Sequence, residues 1–183
     1  MLLHGAGSDT AAPPLPLLAD LLAAAGVAAV RFDQPYTTAE GRRPPDRASI
    51  LDATLRAALP AMREYALPGA PLALVGRSSG ARVACRVAPF GDVCAVVCLG
   101  FPLTPPARAA APRPDRAAEL AAAARAVPVL VLQGARDRFG QPSPGPGLVV
   151  ESRPGVGHTP DAAMAARAVA WLAPHLGFQW ARE

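Results

Sequence analysis

Apolar residues follow two rhythms along this chain. Short, nearly unbroken apolar runs separate longer stretches in which Leu, Ala and Met recur every three or four positions. The runs predict strands buried on both faces, and the stretches predict helices with one inward face. Met1 to Leu3 reads as the end of a short strand. Leu15 to Ala25 predicts a helix with Leu18, Leu21, Leu22 and Ala25 on one side, and Val27 to Phe32 a buried strand. Asp33 to Arg47 is a polar loop. Ser49 to Ala66 predicts a helix that turns Leu51, Leu55, Leu59 and Met62 inward and that Pro60 should bend or split.

The pattern repeats in the second half. Leu72 to Val75 predicts a strand ending at Gly76, Ser79 to Ala88 a helix, and Val93 to Leu99 another strand. Gly100 to Pro114 is a Pro-rich crossing segment, followed by a helix over Asp115 to Ala126 with Asp115 as its cap. Val129 to Leu132 is a strand ended by Gly134, Gln141 to Gly147 a Pro/Gly loop, and Leu148 to Glu151 the last strand. Asp161 to His175 closes the chain as a helix, with Met164, Ala168, Trp171 and Leu172 facing in. Strand and helix in alternation mean a parallel sheet covered on both faces. The expected architecture is α/β: a three-layer α/β/α sandwich with a mainly parallel sheet of about six strands, forming one domain over residues 1–183.

Composition sharpens this picture by exclusion. With 51% hydrophobic and 17% charged residues the chain can bury a core, although much of the apolar content is alanine. All 18 basic residues are arginine. Without lysine there is no Schiff-base chemistry on a side chain and no Walker A lysine, which removes pyridoxal-phosphate enzymes, lysine aldolases and P-loop NTPases. The net charge of +4 comes without a basic stripe, since Arg42-Arg43 is the longest arginine run and aromatics are 5%, so no nucleic-acid partner is expected. Cys85, Cys94 and Cys98 form an odd set without CxxC spacing, and HExxH is absent, so neither a disulfide framework nor a metal site is expected. No cofactor is expected either. The first residues lack a basic n-region and an apolar h-region, and the apolar stretch from Pro14 to Val30 is broken by Asp20 and Gly26. A cytoplasmic protein without a membrane span is the expectation.

One motif carries chemistry. Gly76-Arg77-Ser78-Ser79-Gly80 is a G-x-S-x-G sequence between a predicted buried strand and a predicted helix. Such a turn lifts a serine hydroxyl above the carboxyl edge of a sheet, and its glycines let strand and helix pack closely. Only Ser78 has glycine at both required offsets. His4-Gly5-Ala6-Gly7 follows the first strand, where the amides of Ala6 and Ser79 could bind an oxyanion. His4 itself reads as a structural turn residue. The same glycines partly match G-x-G-x-x-G, with Asp33 as a ribose-binding acid. Thr10 in place of the third glycine, Pro13-Pro14 before the helix and the long spacing to Asp33 weigh against a dinucleotide site.

A serine nucleophile needs a base and an acid. His158, in Gly155-Val156-Gly157-His158, lies between the last strand and the last helix, whereas His175 sits at a helix end. Asp137 follows the Val129 to Leu132 strand and precedes His158, which gives the order Ser, acid, His. Glu151 is a weaker acid candidate because it falls within a strand. Arg77 and Arg31 lie near the carboxyl edge and are candidates for binding a carboxylate on the substrate.

These residues resemble the α/β-hydrolases of the Tex/KANSL-like group, which is related to dienelactone hydrolases. The resemblance rests on Leu3 to Asp9, Arg31-Phe32, Gly76 to Arg82, Phe101-Pro102-Leu103 with Pro105-Pro106, Gln133 to Asp137, and Gly157-His158. It implies a hydrolase fold without a large cap, with Ser78, Asp137 and His158 on the triad positions. It also implies two further strands before the His4-Gly5-Ala6-Gly7 loop, which this sequence lacks. Either the start lies upstream of Met1, or the sheet has an exposed edge that invites pairing with a second copy. The expected activity is hydrolysis of a small ester or related acyl substrate. The alternatives are transfer to an acceptor other than water and a non-catalytic scaffold.

Overall fold

The most apolar runs of the sequence form the centre of a parallel sheet. In a computed structural model, which describes residues 1–38, 44–65, 69–104 and 116–178, β3 (Ala73–Arg77), β4 (Ala95–Leu99) and β5 (Val129–Gly134) lie side by side. Outside them stand β1 (Leu2–Leu3) and β2 (Arg31–Phe32) on one flank and β6 (Leu148–Arg153) on the other. The order is β2-β1-β3-β4-β5-β6, and every neighbouring pair is parallel. The α/β/α sandwich read from the sequence is the architecture observed.

Side-chain alternation along the strands divides the core into two layers. Ala73, Val75, Ala95, Val97, Leu99, Leu130 and Leu132 point toward α1 (Leu15–Ala24) and α6 (Ala162–Leu176). Leu74, Val96, Cys98, Val129 and Val131 point toward the other face. There α3 (Ala48–Tyr65), α4 (Ser79–Val87) and α5 (Arg116–Ala126) cover them. Burying each such Val or Leu stabilises the fold by about 1.5–3 kcal/mol. Ion pairs stitch the second layer together: Arg82 meets Glu119, and Arg86 meets both Asp52 and Glu119, linking α4 to α5 and α3.

Three local expectations change. The strand predicted over residues 27–32 reduces to Arg31–Phe32, because its only neighbour β1 pairs just Leu2 with Arg31 and Leu3 with Phe32. A short helix α2 (Pro35–Thr38) forms at the start of the predicted polar loop. Finally, α3 runs unbroken through Pro60. Leu51, Leu55 and Leu59 are locked against the sheet, while Pro60 faces solvent, where water can satisfy the carbonyl its missing N–H leaves free. The predicted cap Asp115, Arg42-Arg43, and most of the Pro-rich crossing segment lie outside the described residues.

The chain turns outward from β1 to β2 and then returns to place β3 on the other side of β1. The connections leaving β1 and β3 therefore run in opposite directions from the carboxyl edge, and in open α/β sheets ligands bind at such a reversal of strand order.

Candidate active site

The loop after β3 carries Ser78 at that edge. Ser78 takes φ 53° and ψ −115°, a backbone conformation that L-residues rarely adopt. The neighbouring glycines make it tolerable. A β-carbon on Gly76 would sit 2.4 Å from the Ala81 nitrogen, and one on Gly80 would sit 2.5 Å from the His4 oxygen. Helix α4 thus starts immediately beyond the serine, with β1 and β3 packed against its first turn.

His158 reaches Ser78 from the far flank of the sheet. Its loop follows β6 and folds back over β5, where Gly134 leaves room for the Gly157 carbonyl: a β-carbon there would lie 2.0 Å from that oxygen. The imidazole Nε2 lies 2.8 Å from Ser78 Oγ, and Nδ1 lies 2.8 Å from Asp137 Oδ2. Phe139 packs its ring edge-on against the imidazole at 4.5 Å between centroids.

Asp137 is buried, and its carboxylate is fully engaged. Oδ1 accepts the Phe139 N–H at 2.9 Å, and Oδ2 accepts Gln133 Nε2 at 2.8 Å as well as the histidine. Both oxygens already receive protein donors, so His158 Nδ1 carries the proton and Nε2 is left to accept from the serine hydroxyl. Gln133 braces this arrangement. Its Oε1 accepts from the Phe101 N–H, and its Nε2 also faces the carbonyls of Phe101 and Gly140.

The loop after β1 lies beside Ser78. The Gln34 N–H donates to His4 Nε2 at 3.0 Å, which leaves His4 Nδ1 to donate to the Gly5 carbonyl at 2.9 Å. The same carbonyl accepts from Ser8 Oγ at 2.9 Å, the Ser8 N–H at 3.3 Å and Tyr36 Oη at 3.2 Å. Burial pushes the Tyr36 phenol up to about 12, with Asp46 adding to this and the nearby Ser79 hydroxyl opposing it. That hydroxyl lies close to Tyr36 but makes no hydrogen bond of good geometry. Four donors hold the Gly5 oxygen, so the trans peptide turns the Ala6 N–H the other way. Among the described residues, neither the Ala6 nor the Ser79 amide has an acceptor.

The structure thus brings together Ser78, His158 and Asp137, with Ala6 and Ser79 on the adjoining loop ends. Both ring nitrogens of His4 are spent on the loop, consistent with a structural role. Arg77 lies beside Gly5 and Ser8, with Nη1 3.5 Å from Ser8 Oγ. Arg31 is exposed, donates to the Thr10 carbonyl at 2.8 Å, and among the described residues makes no hydrogen bond or ion pair with Ser78, Asp137 or His158. Asp33 accepts from Thr10, and Glu151 pairs with Arg167 on α6. The supporting roles of Gln133, Gln34, Tyr36 and Phe139 were not read from the sequence. A buried glutamine ending an otherwise apolar strand is the signal that could have exposed Gln133.

Among the described residues there is no cluster of three or more His, Cys, Asp or Glu that could hold a metal ion, and no helix long and apolar enough to cross a membrane.

A parallel sheet with a strained serine between strand and helix, and a histidine returning after the last strand, defines the α/β-hydrolase class. The chain belongs to the alpha/beta hydrolase domain family, whose model matches residues 1–145. The protein TT1662 from Thermus thermophilus is 27% identical with a TM-score of 0.70, over 99% of this chain and 88% of that one. A monoacylglycerol lipase from Paleococcus ferrophilus is 16% identical at a TM-score of 0.66, over 95% and 93% of the two chains. Est1E from Butyrivibrio proteoclasticus, solved with ferulic acid bound, is 15% identical at 0.69, over 96% and 87%. No curated protein sequence matches this chain.

Proposed function

We propose that this protein is a serine hydrolase that cleaves a small ester or related acyl substrate through an acyl-enzyme. The observation that carries the reading is the unbroken chain of two 2.8 Å hydrogen bonds from Ser78 through His158 to Asp137. Esterase and lipase folds among the structural neighbours support the same class of activity.

In this reading Ser78 Oγ adds to the substrate carbonyl carbon while His158 Nε2 takes the hydroxyl proton. The Ala6 and Ser79 amides donate to the new oxyanion. Each donor of this kind is worth about 10²–10³ in rate. The C–O bond to the leaving alcohol breaks as His158 returns the proton to it. Water then adds to the acyl carbon, giving its proton to His158, and the acid departs as Ser78 recovers its hydrogen. Asp137 holds the imidazole tautomer and stabilises the imidazolium.

Labelling by a fluorophosphonate, followed by mass mapping of the adduct, tests the assignment. The expected result is one adduct on Ser78, absent in Ser78→Ala and strongly slowed in His158→Ala. An unlabelled wild type, or equal labelling of Ser78→Ala, sinks the reading and leaves a non-catalytic scaffold as the better account. Product analysis with competing alcohols separates hydrolysis from acyl transfer.

A further inference from the structure

Five arginines face a carboxylate: Arg82 and Arg86 face Glu119 and Asp52, Arg167 faces Glu151, Arg153 faces Asp161, and Arg63 faces Asp92. Arg116 is spent on the carbonyls of Pro102 and Thr104. Arg77 differs from all of these. Among the described residues no carboxylate lies within ion-pair distance of it, its Nε is buried without an acceptor, and its one side-chain hydrogen bond is a long contact from Nη1 to Ser8 Oγ. Partial burial also lowers its pKa, so the fold bears a cost for holding the cation there.

Its position is as telling as its lack of partners. Nη1 lies 3.4 Å, and the Ser78 β-carbon 3.2 Å, from one point, the place a side-chain carbon on Gly5 would take. The guanidinium therefore borders the nucleophile and the oxyanion loop. A partly buried guanidinium with free donors is suited to bidentate recognition of a carboxylate. Arg31, exposed and tied to the Thr10 carbonyl, lacks the burial.

We propose that Arg77 recognises a carboxylate carried by the substrate near its scissile carbonyl, so that the preferred substrates are anionic esters. This rests on the acyl-hydrolase reading above. An acidic group on the substrate would supply the counter-charge that the described residues do not.

The test compares kcat/KM within two pairs of esters, each corrected for spontaneous hydrolysis. One pair carries the charge on the acyl side: p-nitrophenyl hydrogen succinate against p-nitrophenyl valerate. The other carries it on the alcohol side: (butyryloxy)acetate against methoxyethyl butyrate. Wild type should favour the charged member of at least one pair by about 10- to 100-fold, as expected for a hydrogen bond between charged groups. Arg77→Gln should bring that ratio near one, whatever happens to overall rate. Arg77→Lys should keep part of the preference, and added salt should erode it in wild type, which supplies the reading if Arg77→Gln does not fold. No preference in either pair, or a preference that survives in Arg77→Gln, overturns the inference while the hydrolase reading stands. No turnover of any ester and no fluorophosphonate adduct would overturn the hydrolase reading itself, and this inference with it.

Discussion

The Gly5 carbonyl shows how much of this site is settled before any substrate arrives. His4, Ser8 and Tyr36 all donate to it, and the amide on the other side of that peptide is thereby turned away from them. Tyr36→Phe removes one donor and leaves the others. With the phenol held up to about 12, Tyr36 remains a donor at any ordinary pH. The variant should therefore lose kcat by a few-fold to about tenfold with little change in KM, the signature of an interaction made in the transition state. Steady-state kinetics on p-nitrophenyl butyrate, with wild type and variant at several pH values, reads it. Gln133→Leu removes a donor from buried Asp137 and should cost about 1–3 kcal/mol in urea unfolding, along with slower fluorophosphonate labelling. Unchanged labelling with full stability would show that Gln133 braces nothing. Motif and chain order singled out Ser78, Asp137 and His158, which the fold brings within hydrogen-bonding distance through the imidazole. Tyr36 and Gln133 stayed hidden because their partners are backbone groups brought near only by folding.

At the scale of elements, α4 matters most, because it begins directly after Ser78. Its outer face is fixed by Arg82 and Arg86, which share Glu119. Glu119→Ala leaves two partly buried guanidinium groups short of a partner and should destabilise by about 1–3 kcal/mol. A urea midpoint equal to that of wild type would sink this. Helix α6 is begun by Asp161, whose Oδ1 accepts the Met164 N–H at 2.9 Å. Burial alone would raise its carboxyl, but the Met164 amide and then Arg153 more than reverse this and hold it below the ordinary carboxylate value. A carboxyl lowered in the folded state stabilises fully above its unfolded pKa of about 4, and that contribution fades as pH falls through the lowered value. Asp161→Ala should therefore cost about 1 kcal/mol at neutral pH. The gap from wild type should narrow in urea titrations below pH 4. Hydrophobic spacing made the existence and order of the elements readable, but not the extent of β2, which depends on how many residues its neighbour offers. Pro60 does not split α3 for a related reason: the rule against helix proline describes an isolated helix, and Leu55 and Leu59 hold α3 in place from the other side.

Seen whole, the molecule divides the labour of its site between centre and margin. Ser78 rises from β3, which has neighbours on both sides, while His158 hangs on the loop after β6, an outermost strand with Val149 45% exposed. The sequence order implied this separation, since Ser78 and His158 stand far apart along the chain. The register that closes it, with Gly134 admitting the Gly157 carbonyl, emerges only from the packed sheet. Margins of a sheet open at lower free energy than its centre. Denaturant should accordingly disarm the protein before it dismantles it: ester turnover would vanish at a urea concentration where far-UV ellipticity is still near its native value. Protection against hydrogen exchange should fail first in residues 148–158 and last in the strands beneath Ser78.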